Sequence, residues 1–245
     1  MAIVSELSAG PTDETIRVKA WEDAYNRFET PQQEVKKFVR RLNLLGVSSW
    51  DKRLAVVELF CGRGNGLIAL SSLGFRNLEG IDLSASLLAQ YSGPASCRVA
   101  DCRHLPFQDG SIDGIIIQGG LHHLSSIPQD LEQCLHEIHR VLTIDGRVVI
   151  VEPWLTPFLS LVHLLCRQAW IRRRVSKIEA LAAMIEHERD TYTQWLQAPQ
   201  AISAALNSYF HPERSHYRWG KLMFVGKRRE RAEENWNNQG SRRAR

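Results

Sequence analysis

The chain has 245 residues, with 31 Lys and Arg against 27 Asp and Glu and a net charge of +4. This length suits one large domain that buries enough surface to fold without disulfides. The five cysteines are odd in number and form no CxxC pair, which argues against a disulfide framework and against a structural zinc site. We therefore expect a reducing compartment and predict a cytoplasmic protein.

The two ends of the chain differ in composition from its middle. Residues 1–19 contain no basic start followed by an apolar core, so we predict a mobile tail there and no secretory signal. Residues 227–245 are basic and have almost no apolar side chains, which predicts a disordered tail. Such a tail is typical of a solvated end. Contact with nucleic acid or an anionic membrane is the less favoured alternative.

Strand-like and helix-like segments alternate through the middle of the chain. Thr30 and Gln33 have the spacing of a capping box, which predicts that a helix begins there. The predicted strands that follow are 54–60, 77–83, 96–101, 112–118 and 147–153, and the predicted helices between them are 66–75, 84–91 and 130–142, with a turn at 143–146. Continuous apolar strands separated by helices indicate a mainly parallel sheet covered on both faces. We therefore predict a doubly wound α/β core over residues 50–153.

The pattern changes after residue 153. Residues 154–174 form a predicted helix that is apolar on most sides and ends in three arginines. With the segment that follows, they make a predicted helical cap at about 154–206, before final strands at about 209–226 that complete a domain over 20–226. The apolar run is too short to cross a bilayer. We expect it to be buried over an apolar substrate pocket, with peripheral membrane contact as the alternative.

A glycine-rich loop follows the first predicted strand. Gly62, Gly64 and Gly66 form a GxGxG pattern in "CGRGNG", at the edge where ligands bind in open α/β sheets. A P-loop requires GxxxxGK[ST] and a dinucleotide fingerprint requires GxGxxG, and the loop matches neither pattern. S-adenosylmethionine, which has a ribose and an adenine but no pyrophosphate, is the third candidate ligand.

Acidic residues stand at the ends of three successive strands. Asp82 is placed to accept hydrogen bonds from both ribose hydroxyls. Asp101 suits an exocyclic amine such as adenine N6, and the backbone N–H of Cys102 would reach a ring nitrogen. Glu58 faces the region of a sulfonium and an amino group, where a buried carboxylate is more easily tolerated. This set favours a cationic nucleoside over a pyrophosphate.

With these residues the chain resembles the class I S-adenosylmethionine-dependent methyltransferases, in particular the methyltransferase-domain group that includes the ubiquinone/menaquinone methyltransferases. The resemblance covers about residues 20–155 and rests on "VVELFCGRGNG", "LEGIDLS", "VADCRHLPFQDGSIDGIIIQGGLHHL" and "EIHRVLTIDGRVVIVEP". It implies a Rossmann-like fold with S-adenosylmethionine as cofactor. The positions that it implies are Glu58, Gly62 and Gly64 around the methionine portion, Asp82 at the ribose, Asp101 and Cys102 at the adenine, and Gln118 and Gly119 beside the methyl group.

The resemblance also implies a role for the segment before the first capped helix. Trp21, Tyr25 and Phe28 recur there at helical spacing. In the resembling family such a segment often lies over the cofactor as an N-terminal helical lid, and it would exclude water from the transfer step. The alternative is an aromatic stripe packed on the sheet edge.

His122 and His123 are the candidate catalytic residues. They come just after the fourth predicted strand, and histidine titrates near neutrality, so either could accept a proton from the methyl acceptor. A structural or substrate-lining role is the alternative. No metal site is predicted from the sequence.

The predicted function is transfer of a methyl group to oxygen or carbon of a small, partly apolar molecule by in-line displacement. One alternative is an RNA methyltransferase recruited by the basic tail. Against it, "QGGL" after the fourth strand lacks the [DNS]PP[YFW] box of enzymes that methylate base amino groups, and no RNA-binding module is recognisable. Nucleic acid is therefore an unlikely partner. The other alternative is a non-catalytic S-adenosylmethionine-binding protein. The oligomeric state is not predicted.

Overall fold

The computed structural model describes residues 24, 25 and 27–230. The predicted N-terminal tail, Trp21 and residues 231–245 of the predicted basic tail lie outside these residues. Helix α1 (Pro31–Leu44) begins at the predicted capping box, in which the Thr30 hydroxyl accepts from the Gln33 backbone N–H and the Gln33 side chain accepts from the Thr30 N–H. A short 3₁₀ turn follows at Val47–Ser49.

Seven strands form one sheet in the order β3-β2-β1-β4-β5-β7-β6. The strands are β1 (Ala55–Leu59), β2 (Asn77–Asp82), β3 (Ser96–Val99), β4 (Ile112–Gln118), β5 (Leu142–Pro153), β6 (Phe210–Arg218) and β7 (Lys221–Arg228). Strands β1 to β5 pair in parallel, whereas β7 is antiparallel to both β5 and β6. This confirms the predicted doubly wound, mainly parallel α/β fold.

Helices cover both faces of the sheet and fill the insertion before its last two strands. They are α2 (Asn65–Ser72), α3 (Ala85–Leu88), α4 (Gln129–Val141), α5 (Pro157–Cys166), α6 (Ala169–Arg174), α7 (Ser176–His187), α8 (Arg189–Gln197) and α9 (Pro199–Tyr209). None of the helices within the described residues is long and apolar enough to cross a membrane.

The core has two layers because side chains alternate along the central strand β4. Ile115 and Ile117 belong to an apolar cluster with the buried face of α4, and Ile116, between them, belongs to a second cluster with α2. All three side chains are fully buried. A strand that is apolar on both sides therefore needs a helix on each face, as the sequence predicted.

Strand order reverses between β1 and β4, which are neighbours in the sheet. In open α/β sheets the loops on either side of such a switch point diverge, and a crevice opens at the carboxyl ends of the strands. The glycine-rich loop after β1 and the Gly119–His123 segment after β4 therefore border the same crevice.

Three predicted boundaries need correction. The predicted turn at 143–146 lies inside β5, at the point where the pairing of β5 with β4 shifts register. The predicted helix 154–174 is broken at Gln168, which has extended backbone angles, and α6 then turns so that Arg172 pairs with Glu179 and Glu186 of α7.

The third correction concerns the basic tail, which was predicted to begin at residue 227. Strand β7 continues to Arg228, because Lys227 pairs with Asp145 and the Arg228 guanidinium donates to the His139 carbonyl. These contacts hold Lys227 and Arg228 in the strand, although their charge alone predicts a solvated segment.

The expectation that residues 154–174 are buried is also wrong for one side of the segment. Leu161 and Leu164 of α5 are each 54% exposed and Trp170 of α6 is 63% exposed, while Cys166 is the buried residue of α5. An apolar helix is buried on all sides only where other elements surround it, and here the cap forms the outermost layer.

Candidate active site

A cavity of about 860 Å³ lies at the carboxyl ends of the strands, under the cap. This volume is in the upper part of the usual range for ligand pockets, roughly 300–1,000 Å³. Its sheet side is acidic and polar, and includes Glu58, Asp82, Asp101 and Gln118. Its cap side is apolar, and includes Phe158, Val162, Leu181, Met184 and Ile185. The cavity therefore suits a charged, polar ligand at one end and an apolar one at the other.

The glycine-rich loop bends sharply at the sheet side of this cavity. Gly62 and Gly64 have φ angles of +51° and +75°, a region that side chains larger than glycine rarely adopt. A Cβ atom on Gly64 would lie 2.2 Å from the Tyr91 ring. The Gly62 backbone N–H donates to the Asp82 carboxylate at 2.8 Å, which ties the loop to the end of β2.

Glu58 lies beneath the same loop, packed against Gly66. A Cβ atom on Gly66 would lie 1.7 Å from the Glu58 Oε1 atom, so the carboxylate occupies the space of a side chain that is absent. Burial and the charge of Glu34 raise the pKa of Glu58 to about 8. The Glu58 carboxyl is therefore set to lose its proton when a cation is placed beside it.

Unsatisfied polar atoms mark the cavity wall at β1 and β4. The Oε2 atom of Glu58 and both amide atoms of Gln118 are buried and make no hydrogen bond within the described residues. Buried polar groups in proteins nearly always have partners, so these atoms point to a ligand with complementary groups. The ammonium and carboxylate of S-adenosylmethionine supply donors and acceptors of that kind, and the residues present fit this cofactor.

Asp82 and Asp101 stand at the ends of β2 and β3 and both line the cavity. Asp82 accepts the backbone N–H groups of Gly62 and Ser84, each at 2.8 Å. A carboxylate has about four acceptor positions, so two further hydrogen bonds can form. Asp101 is instead clamped by Arg103, whose guanidinium holds the pKa of Asp101 below its usual value.

Arg103 is a feature that the sequence reasoning missed. Its guanidinium also donates to Asp130 at 2.8 Å, and it lines the cavity beside Asp101. The side chain of Cys102 is buried among apolar residues, so its predicted contact with a ligand rests on its backbone N–H alone.

His122 is held in place by a buried carboxylate. Glu152, which is fully buried at the end of β5, accepts the backbone N–H groups of Gly120 and Leu121 at 2.7 and 2.8 Å. Its other oxygen lies 2.7 Å from Nδ1 of His122. A Cβ atom on Gly119 would lie 3.9 Å from the His122 ring, so this histidine stands beside the end of β4.

Glu188, at the junction of α7 and α8, joins the two histidines from the cap side. Its carboxylate oxygens lie 3.6 Å from Nε2 of His122 and 3.8 Å from Nδ1 of His123. Burial lowers the pKa of His122, but the charges of Glu152 and Glu188 outweigh it and raise that pKa to about 9. For His123, burial and the neighbouring His122 dominate and lower the pKa.

Comparison with known proteins shows what the stretch that carries the sheet side of the site is similar to. Residues 57–150 match the family model described as a methyltransferase domain. The match runs from β1 into β5 and agrees with the resemblance found in the sequence. The cofactor implied by this similarity is S-adenosylmethionine, which also suits the unsatisfied polar atoms at β1 and β4.

The curated relatives match about half of this chain. A ubiquinone/menaquinone biosynthesis C-methyltransferase from Geotalea uraniireducens is 29% identical over 151 residues, which cover 51% of this chain and 63% of the relative. A demethylmenaquinone methyltransferase from Lactobacillus johnsonii is 33% identical over 128 residues, 48% of each chain. The matched part thus spans about half to two thirds of these relatives.

The solved structures support the same fold. The PH0226 protein from Pyrococcus horikoshii aligns with a TM-score of 0.60 at 20% identity, over 83% of this chain and 96% of that one. At this identity the likeness describes the architecture of the methyltransferase domain and does not extend to its substrate.

The described part of the predicted lid borders the cavity on the side of α1. Tyr25 and Phe28 line the cavity, and the Tyr25 hydroxyl donates to the Glu34 carboxylate. The glycine-rich loop after β1 contacts the same two residues. The Asn65 amide donates to Glu34 at 2.7 Å, and the Arg63 guanidinium lies 5.2 Å from the Tyr25 ring.

Lys221 is a second cavity residue that the sequence reasoning missed. It begins β7 and lines the cavity, and burial together with nearby Arg41 lowers its pKa to about 8. Lysine at a strand start is usually solvated, but this one is surrounded by charged groups of α1 and β5, among them Arg41 and Glu152. Among the described residues that line the cavity, Arg41, His123 and Lys221 all have lowered pKa values, chiefly because they are buried.

Proposed function

We propose that this protein transfers a methyl group from S-adenosylmethionine to oxygen or carbon of a small, partly apolar molecule. One observation carries the proposal: a single cavity has unsatisfied polar atoms at its sheet end and apolar side chains at its cap end, with His122, His123 and Glu188 between them. The sheet end fits a cationic nucleoside, and the cap end fits a hydrocarbon group.

Each predicted cofactor residue has a role in this proposal. Glu58 and Gln118, with Gly62 and Gly64, hold the methionine portion, Asp82 holds the ribose, Asp101 and Cys102 border the adenine, and Gly119 lies beside the methyl group. When bound, the cofactor supplies an activated methyl group on a positively charged sulfur. The ionised Glu58 carboxylate offsets that charge in a buried setting.

The acceptor enters from the cap side. Phe158, Val162 and Met184 offer it apolar surface, and its reactive end meets the histidine and glutamate cluster between the two halves. Relatives of the chain are named for ubiquinone and menaquinone methylation, and a quinone-type ring with an apolar substituent suits a cavity of this composition. Deprotonation of a hydroxyl or of an acidic carbon falls to the cluster.

Positioning supplies most of the acceleration in this proposal. Alignment of acceptor, methyl carbon and sulfur lowers a barrier by up to about 7–11 kcal/mol when the reactants are held in a productive geometry. The cap and the Tyr25–Phe28 segment keep water from the cavity, and Trp195 fastens the cap by donating from its indole to the Pro153 carbonyl at 2.8 Å.

The test is incubation with methyl-labelled cofactor and an extract from cells that lack this protein, followed by mass spectrometry of labelled products. We expect label in a small molecule with an apolar part. A second measurement uses the double variant His122→Gln, His123→Gln, which we expect to slow single-turnover methylation far more than it weakens cofactor binding. Cofactor binding without any labelled product would favour the non-catalytic alternative.

Peripheral membrane contact is a further part of the proposal. The outer side of the cap exposes Leu161, Leu164 and Trp170 next to the exposed Arg173 and Arg174, a combination that suits a surface of anionic lipid. An apolar acceptor partitions into lipid, so this surface would bring the cavity to its substrate. The five free cysteines suit the proposed cytoplasmic location.

Nothing in the described residues favours the RNA alternative. Its main support is the basic tail, of which residues 231–245 lie outside the described part of the chain. Label in RNA that disappears when residues 231–245 are deleted would overturn the small-molecule proposal.

A further inference from the structure

Two histidines and a glutamate converge at the centre of the cavity. Nitrogen atoms of His122 and His123 and an oxygen of Glu188 all lie within 4.8 Å of one another. We propose that these three side chains bind one divalent transition-metal ion of the class that prefers imidazole ligands, such as Zn²⁺, Fe²⁺ or Ni²⁺. The sequence does not predict this site because Glu188 lies far along the chain, in the cap.

The distances between the three side chains can be compared with those between ligands of a single metal ion. Two ligands at roughly 2.0–2.2 Å from a metal in tetrahedral or octahedral geometry lie about 3.0–3.4 Å apart. The Glu188 oxygens are 3.6 and 3.8 Å from the nitrogens of the two histidines. With one ligand atom taken from each residue the separations reach up to 4.8 Å, so the side chains would have to approach one another by roughly 1.5 Å to form a coordination sphere.

A second carboxylate orients the first histidine as metal sites require. Nδ1 of His122 lies 2.7 Å from Glu152, which leaves Nε2 directed to the cluster. Glu152 is itself fixed by two backbone N–H groups. Metal-binding histidines almost always have such a partner on the opposite ring nitrogen, where it sets the tautomer and the ring orientation.

Charge and ligand type narrow the identity of the ion. Two carboxylates, Glu152 and Glu188, surround two imidazoles, so a divalent cation would balance the charge of the cluster. Mg²⁺ and Ca²⁺ prefer sites made of oxygen atoms alone, whereas two imidazoles with one carboxylate suit zinc and the later divalent metals.

A metal here would keep an open position. The three ligands all line the cavity, and three-ligand sites with a free position are typical of catalytic rather than structural metals. The free position would take water or an oxygen atom of an acceptor. Metal binding goes beyond the proposed methyl transfer and does not depend on it. With an ion bound, the two imidazoles would be ligands, and the ion itself would lower the pKa of an acceptor hydroxyl at the free position.

The experiment is titration of chelator-treated, full-length protein with Co²⁺, a spectroscopic substitute for Zn²⁺, followed by its visible absorption. We expect one ion per chain, displaced by Zn²⁺ and unaffected by excess Mg²⁺. His123→Ala and Glu188→Gln remove ligands without emptying the core, and each should weaken binding by more than about 100-fold. Glu152→Gln should weaken it by about 10- to 100-fold.

The matched control is His136→Ala, which removes an exposed histidine on α4. It should bind Co²⁺ as the unaltered protein does. Thermal unfolding checks each variant, because Zn²⁺ should raise the midpoint of the unaltered and His136→Ala proteins and leave that of Glu188→Gln unchanged. Absence of stoichiometric binding, or full binding by His123→Ala and Glu188→Gln, overturns the site. Because no methyl transfer is measured, failure of the proposed function would leave this result unaffected.

Discussion

The two halves of the cavity are built in different ways. The sheet half takes its polar groups from strand ends between Glu58 and Gly119, all inside the stretch 57–150 that matches the methyltransferase family. The cap half takes its surface from α5, α7 and the start of β7, which lie outside that stretch. Function resides in sites carried on folds, and in the proposed function the shared fold carries the cofactor half while the insertion carries the acceptor half.

The halves also differ in how firmly their polar groups are held. Asp82 is fixed by two backbone N–H groups within a few residues of the sheet. Glu188 reaches the site from a junction between two cap helices and meets the histidines at 3.6 and 3.8 Å. Changes in the sheet half should therefore act on cofactor binding, and changes in the cap half on the acceptor.

The largest effect is expected for Asp82→Ala. The substitution leaves the backbone N–H groups of Gly62 and Ser84 without their acceptor and removes the proposed contact with the ribose. Hydrogen bonds to charged groups contribute about 1.5–3 kcal/mol each, so cofactor affinity should fall by about 100-fold. Isothermal titration with S-adenosylhomocysteine measures it.

The control for this change is Asp145→Ala, which removes a carboxylate that is 79% exposed and pairs with Lys227. It should leave the affinity unchanged. Equal affinity of the Asp82→Ala and unaltered proteins would show that the cofactor does not bind in the sheet half. The proposed division of the cavity into a cofactor half and an acceptor half would then be wrong.

The second prediction concerns pH and Glu58. Its pKa of about 8 means that the free protein holds this carboxyl mostly protonated at pH 7. A cationic cofactor binds the ionised form better, so affinity for S-adenosylmethionine should rise with pH, by up to about tenfold per unit, and level off above pH 8.

Titrations with Glu58→Gln at the same pH values isolate this effect, because the cofactor's own ionisation is common to both proteins. The ratio of the two affinities should grow with pH between 6.5 and 8. A ratio that stays constant would mean that Glu58 does not face the positive charge.

The two halves of the cavity differ in how much of their lining the sequence could predict. The polar lining of the sheet half could be anticipated because residues such as Glu58, Asp82 and Gln118 lie at or near the carboxyl end of a strand, and the parallel sheet brings all such ends to one edge. Even there, Arg103 clamps Asp101, and a pattern of acids does not indicate which of them already has a partner.

The cap half could not be derived in the same way. Glu188 and Lys221 come to the cavity only through the packing of α7, α8 and β7, and their charges are typical of solvated surface. The prediction for the outer side of α5 was wrong in the opposite sense. Its apolar sequence predicted burial, but Leu161 and Leu164 are exposed. Contacts between distant segments, which no local pattern encodes, decide all of these positions.

The third prediction separates the two halves. Met184 lines the cap side of the cavity, and Met184→Ala removes apolar surface that the acceptor would contact. If the acceptor contacts one methylene's worth of this surface, about 0.8 kcal/mol is lost, so the KM for the acceptor should rise about fourfold while the affinity for S-adenosylhomocysteine stays the same. Steady-state kinetics with the acceptor found by labelling measures this. Leu161→Ala, on the exposed side of the cap, is the matched control, and a parallel loss of cofactor affinity in Met184→Ala would contradict the division.

The smallest effect is expected on the outer side of the cap, with Leu164→Ser. This leucine is about half exposed, so stability should change by less than about 0.5 kcal/mol. If the surface docks on lipid, the loss of about 0.7 kcal/mol of transfer energy should lower binding to vesicles of phosphatidylcholine and phosphatidylglycerol about threefold in a sedimentation assay. Ile144→Ser changes an equally exposed side chain at the opposite end of the sheet and should bind vesicles normally. Equal vesicle binding by both variants would confine the function of the cap to its inner side, because the outer apolar surface would then contribute nothing to delivery of the acceptor.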